Sequence, residues 1–89
     1  MKHKIKLTIK AKKDLLSFER NTQKRIVKKL RFYISQNNPI SYAKKLKEER
    51  LGAYRFKIGD YRAIFDIDKQ GNIIILLILR IKHRKEAYL

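Results

Sequence analysis

The sequence has no cysteine, a single proline and three glycines, and only eight of its 89 residues are acidic. Without thiols there is no disulfide framework, no thiolate metal site and no cysteine nucleophile. The two histidines, His3 and His83, lie too far apart to form a metal motif, and no cofactor is expected. The longest apolar run, Ile73 to Leu79, has seven residues, far short of the ~20 that a membrane-spanning helix requires. Met1 to Leu7 is basic and lacks the apolar stretch of a signal peptide, so a cytoplasmic location is expected. Repeats and low-complexity segments are absent.

The shortage of acids sets the charge. Against 24 Lys and Arg it leaves a formal +16, more than solubility requires and a sign of a polyanionic partner. Nucleic acid ranks first, an acidic protein second and an anionic membrane surface third. With 44% hydrophobic and 36% charged residues and no Pro-Gly excess, the chain reads as one compact domain, residues 1–89, with a modest core.

Its centre is the stretch from Tyr54 to Asp68, which alternates apolar and polar on both sides of Gly59-Asp60 and predicts a β-hairpin with a two-residue turn. Such a turn fixes the register: Ile58 opposite Tyr61, Lys57 opposite Arg62, Phe56 opposite Ala63, Arg55 opposite Ile64 and Tyr54 opposite Phe65. One face then carries Tyr54, Phe56, Ile58, Tyr61, Ala63, Phe65 and Ile67. The other carries Arg55, Lys57 and Arg62. Like charges at a cross-strand pair are destabilising, so a pair of cations with no acid beside it on that face before Asp66 points to an anionic partner.

Lys4 to Ile9 alternates and predicts a strand with Ile5, Leu7 and Ile9 inward. Lys10 to Glu19 predicts a short amphipathic helix with the stripe 11, 15 and 18. A second helix is expected from about Thr22 to Gln36, capped by Asn21 or Thr22, with Ile26, Val27, Leu30, Tyr33 and Ile34 as its stripe and Asn37-Asn38-Pro39 as its stop. Ile40 to Gly52 reads mostly as loop with a helical turn near Tyr42 to Leu46, and its Lys44, Lys45 and Lys47 are candidate phosphate contacts. After a turn at Asp68 to Asn72, the continuous apolar strand from Ile73 to Leu79 should lie centrally in the sheet. The expected fold is α+β, β-α-α-β-β-β, with a helical hairpin packed on one face of a mostly antiparallel four-stranded sheet. The Arg55, Lys57, Arg62 face looks outward.

The segments from Tyr54 to Asp66 and from Lys82 to Tyr88 resemble the signature segments of RelE-type toxins of the RelE/ParE toxin-antitoxin superfamily. The resemblance covers essentially the whole chain. It implies a ribosome-dependent endoribonuclease that cuts mRNA in the ribosomal A site and inhibits translation. It further implies a cognate RelB-type antitoxin, a hetero-oligomeric complex with it, and no membrane partner. By the same resemblance the site comprises Arg55, Lys57, Arg62, basic residues of the terminal segment including Lys82 and Arg84, and Tyr88. Well-known members carry Lys where this chain has Arg55 and Arg where it has Lys82, substitutions that keep charge but change the geometry of the donor fork.

Such a reaction needs a proton removed from a 2′-hydroxyl, a dianionic phosphorane stabilised and a 5′-oxygen protonated. Arg62 with Lys82 or Arg84 would hold the non-bridging oxygens. Arg55 or Lys57 would serve as acid or in charge stabilisation, and Tyr88 as base or as a stacking platform. His83 is the conventional acid-base candidate, and strand parity decides whether it reaches the site. Two other readings are a ParE-type gyrase inhibitor, which generally lacks the full basic and Tyr set, and a non-enzymatic basic RNA-binding domain.

Overall fold

A computed structural model describes residues 2–47 and 50–86. The elements run β1 (Lys2–Leu7), α1 (Ile9–Leu16), α2 (Arg20–Ser35), a 3-10 turn (Pro39–Tyr42), β2 (Lys44–Lys45), β3 (Tyr54–Ile58), β4 (Tyr61–Gln70) and β5 (Ile73–His83). The sheet is ordered β1-β5-β4-β3-β2, parallel between β1 and β5 and antiparallel elsewhere. The α+β class and the helix pair on one face are as expected. The sheet gains a fifth strand because Lys44 and Lys45 pair with Arg55 and Tyr54 at its edge. That two-residue strand, with the 3-10 turn before it, replaces the helical turn expected near Tyr42 to Leu46. Two residues are too few to carry a periodic signal.

The hairpin register is the predicted one at all five pairs. Gly59 has φ +58 and Asp60 keeps a negative φ, the arrangement of a type II′ turn in which only glycine suits the first central position. The second turn is shorter than expected, because β4 and β5 continue to Gln70 and Ile73 around Gly71-Asn72.

Helix α1 begins earlier than the alternation predicts. Thr8 accepts the Ala11 N–H through its hydroxyl at 3.1 Å, an N-cap that ends β1 and turns Ile9 out to 74% exposure. Ile9 is therefore not an inward strand residue. At the other junction the N-cap of α2 is Glu19, with no side-chain capping bond, rather than Asn21 or Thr22. Gln23 instead donates to the Phe18 carbonyl at 2.8 Å and closes the turn between the helices.

The core forms where the helix stripes meet the inward sheet face. Ala11, Ile26, Leu30 and Tyr33 pack with Phe56, Ile58, Ala63, Phe65, Leu76, Ile78 and Ile81. Tyr33 stacks on Phe56 with centroids 4.2 Å apart, and Phe56 on Phe65 at 4.5 Å, contacts worth about 0.5–1.5 kcal/mol each beyond area burial. The Tyr33 hydroxyl donates to the Lys57 carbonyl at 3.2 Å and fastens α2 to the hairpin. β5 lies between β1 and β4, and Ile75 on its other face is also buried, as its continuous apolarity predicts.

One irregularity decides which side chains share a face. On β5, Arg80 pairs with Ile64 and Ile78 with Phe65, so Leu79 is a bulge without a partner on β4. Below it Leu76 and Ile78 face the helices; above it Ile81 does. The extra residue shifts the alternation by one.

Candidate nucleic-acid interface

Through that shift the register puts Arg80 and Lys82 on the same sheet face as Arg62, at the β5 edge where both reach Asp14 of α1. Cross-strand pairing then lines up Lys57, Arg62 and Lys82 on three adjacent strands. The next row holds Lys44, Arg55, Ile64 and Arg80. Without the bulge, Lys82 would alternate into the core and His83 onto the cationic face.

The outward face is not uniformly wet. Gly52, with φ +144, lies so close to the sheet that a Cβ there would meet Ile64 Cγ2 at 2.6 Å and Leu79 Cδ1 at 3.2 Å. Asp66 accepts the Ala53 N–H at 2.7 Å and Ala53 accepts the Leu46 N–H at 2.9 Å, which fix the approach to β3 over that part of the sheet. Ile64 is thereby left 4% exposed. The cationic row lies beside this covered part, toward the Gly59-Asp60 turn.

Arg62 differs from the solvated arginine that alternation suggests. It is 8% exposed, and Nη1 donates to the carbonyls of Gly59 and Tyr61, each at 2.9 Å. Its Nε is buried and has no hydrogen-bond partner among the described residues. Burial, and then the neighbouring Arg55 and Arg84, push its pKa below the usual arginine value, and Asp60 opposes them. Burying a cation among cations is unfavourable unless an anion supplies the missing charge.

The far end of the row is held by Asp14. Its carboxylate receives Arg80 Nε at 2.8 Å, Arg80 Nη2 at 3.0 Å and the Ile81 N–H at 3.0 Å, with Lys82 Nζ at 3.8 Å. β1 ends at Leu7, opposite Ile78, so the β5 edge beyond it would otherwise have an unpaired donor at Ile81. Burial raises the Asp14 pKa, but the hydrogen bonds from Arg80 and Ile81 and the charges of Arg80 and Lys82 outweigh it and hold it below the usual value. Sequence reading missed this group. Its one signal was that Asp14 is the sole acid before Glu19.

The Arg84 N–H donates to the Asp60 carbonyl at 2.7 Å and ties the segment after β5 to the hairpin turn. Its guanidinium lies 3.8 Å from the Asp60 carboxylate, but both are exposed and such a pair contributes little. Lys57 is exposed at the β3 end of the row.

His83 pairs with Tyr61 on the helix side of the sheet, edge-on to the Tyr61 ring at 5.4 Å, and its Nδ1 accepts the Lys85 N–H at 3.2 Å. The cationic row is on the opposite face. Lys44, Lys45 and Lys47 are all exposed; Lys44 shares the row of Arg55, and Lys45 has the opposite parity, beside Tyr54. Tyr88 lies outside the described residues.

The family model described as "ParE toxin of type II toxin-antitoxin system, parDE" matches residues 5–88. Among solved structures, the chain is similar to one in the RelBE2 toxin-antitoxin complex from Mycobacterium tuberculosis, with a TM-score of 0.70 and 22% identity over 94% of this chain and 100% of that one. No curated protein matches the sequence.

Proposed function

The chain belongs to the ParE toxin family of type II toxin-antitoxin systems, within the RelE/ParE superfamily, and from that premise we propose that it is an endoribonuclease acting on mRNA in the ribosomal A site. The observation that carries this reading is the row Lys57, Arg62, Lys82, built around a desolvated guanidinium whose Nε has no hydrogen-bond partner among the described residues and whose neighbouring Asp60 is outweighed by burial and by Arg55 and Arg84. A phosphodiester supplies negative charge there, and a phosphorane, being dianionic, supplies more of it in the transition state than in the ground state.

In the proposed reaction the 2′-oxygen loses its proton and bonds to phosphorus, the bond to the 5′-oxygen breaks, and that oxygen takes a proton. The products are a 2′,3′-cyclic phosphate and a 5′-hydroxyl, with no metal required. Arg62 provides fixed positive potential beneath the phosphate. Lys57 and Lys82 flank it and contact the non-bridging oxygens, and Arg55 and Arg84 add charge at the ends. Lys57, the exposed ammonium, donates to the leaving oxygen. Tyr88 is assigned the 2′-hydroxyl or stacking on a base. His83 takes no part, since it faces the helices. The exposed Lys44, Lys45 and Lys47 contact phosphates further along the RNA.

A cognate antitoxin of RelB type completes the unit as a hetero-oligomer. An acidic helix or arm laid over the row would satisfy Arg62 in place of RNA and silence the toxin.

The match to a ParE family model supports a second reading, a ParE-type inhibitor of DNA gyrase that does not cleave RNA. Primer extension on a reporter mRNA in a translating extract, with and without ribosomes, separates the two. Codon-spaced cuts that require ribosomes support the nuclease. Intact mRNA, with supercoiling by gyrase blocked in a parallel reaction, supports the second reading.

A further inference from the structure

A second positive patch lies on the helix side of the molecule. From Arg20 to Lys47 the sequence has no acid and nine Lys or Arg. Three of these, Arg25, Lys28 and Lys29, line a cleft of about 480 Å³ between α2 and the β3–β4 turn, together with Phe32, Ile58 and Gly59. That volume falls in the range of small-ligand sites.

Phe32 is an apolar ring left 44% exposed. It packs edge-on against Tyr33 at 5.9 Å and Tyr42 at 5.8 Å, contacts that orient the ring. Lys29 Nζ stands 5.1 Å from its centroid. An oriented, exposed ring beside ammonium groups matches a nucleotide, whose base stacks on the ring while its phosphate meets the cations. An aliphatic ligand would leave the cations unused, and a simple anion would leave the ring unused.

The cleft and the sheet face meet at one residue. Arg62 Nη1 donates to the Gly59 carbonyl at 2.9 Å. On the other side, Arg25 Nη2 lies 3.8 Å from the position a Gly59 Cβ would take. A chain leaving Lys57 and Arg62 can therefore pass around the turn into the cleft without leaving positive surface.

We propose that this cleft is a second RNA subsite, which holds a single-stranded nucleotide flanking the cleavage point, its base on Phe32 and its phosphates on Lys28 and Lys29. The word "flanking" rests on the nuclease reading; binding in the cleft does not, and is measured separately.

The test is fluorescence anisotropy of the full chain with a labelled 2′-O-methyl oligoribonucleotide, which lacks the attacking hydroxyl and cannot be cut. Titrations across a salt series compare wild type, Lys28→Ala/Lys29→Ala, Phe32→Leu and a charge-matched control, Lys10→Ala/Lys12→Ala, on exposed positions of α1. The cleft double variant is expected to flatten the log-log salt slope by about 1.4, two single-strand phosphate contacts, and to exceed the control in doing so. Phe32→Leu is expected to weaken binding roughly tenfold with the slope unchanged.

Equal effects of the two double variants, wild-type affinity in Phe32→Leu, or no binding by the wild type would each overturn the subsite. A poly-glutamate peptide that binds as tightly and loses affinity with the same variants would overturn it in favour of an acidic protein. Cleavage of ribosome-bound mRNA by the wild type, followed in parallel, tests the enzyme reading. Cleft-dependent binding without cleavage would keep the subsite and remove the nuclease.

Discussion

Thr8 donates its hydroxyl to the carbonyl of Leu79 at 2.9 Å and its backbone N–H to Ile78 at 3.0 Å, so the residue that caps α1 also grips the bulge of β5. The bulge turns Lys82 toward Arg62. One side chain near the N-terminus thus links the start of the helical layer to the aim of the cationic row.

Thr8→Val, which keeps shape and removes the hydroxyl, loses the cap and the grip together. A stability loss of about 1–2 kcal/mol is expected in urea unfolding. RNA cleavage should fall more than in Val27→Ala, a helix variant that leaves the bulge untouched. Equal activity in the two at matched stability would show that the bulge does not need this tie.

Asp14→Asn keeps the volume and removes the charge that receives Arg80 and Lys82. The carboxylate side chain is 13% exposed and Arg80 37%, so after allowing for solvent screening about 1–2 kcal/mol of stability should be lost at neutral pH. Because the folded pKa lies below the ordinary 3.8, this contribution is fully present above about pH 4 and disappears as pH falls through the depressed value. Unfolding curves of wild type and variant should converge in acid. A gap that persists at low pH would assign the effect to packing.

Arg62→Met removes a buried cation that lacks a full set of partners among the described residues. Stability should change by less than about 1 kcal/mol or rise. Cleavage should drop about 100-fold or more, the scale of losing one preorganised electrostatic group. Calorimetry on the same sample that is assayed for cleavage checks both. A large destabilisation would mean that the arginine serves the fold.

His83→Ala should leave cleavage within about twofold of wild type, since the imidazole lies against Tyr61 on the helix side. A large loss in kcat at unchanged stability would contradict the parity set by Leu79.

Much of the architecture was written locally. Gly59-Asp60 fixed five cross-strand pairs because a two-residue turn admits one register, and the stripe from Ile26 to Ile34 identified α2 by period alone. What escaped was non-local or too short. The Leu79 bulge leaves no trace in a run of seven apolar residues, yet it separates Lys82 from His83. The Asp14 pair spans 66 residues. Alternation correctly put Arg62 on the face away from the helices. It did not foresee that the approach to β3 folds over the neighbouring Ile64, or that Arg62 itself is buried. Face follows from parity, and cover does not.

The most direct test of the cationic row is single-turnover cleavage of mRNA on programmed ribosomes, comparing wild type, Lys57→Ala, Arg62→Met and Lys82→Ala with the control Lys10→Ala/Lys12→Ala, and identifying the new ends. The account predicts 2′,3′-cyclic phosphate and 5′-hydroxyl ends, about 100-fold slower cutting for the Arg62 variant, smaller losses at Lys57 and Lys82, and a control close to wild type. Wild-type rates in all three row variants, or no cleavage by the wild type at all, would contradict it.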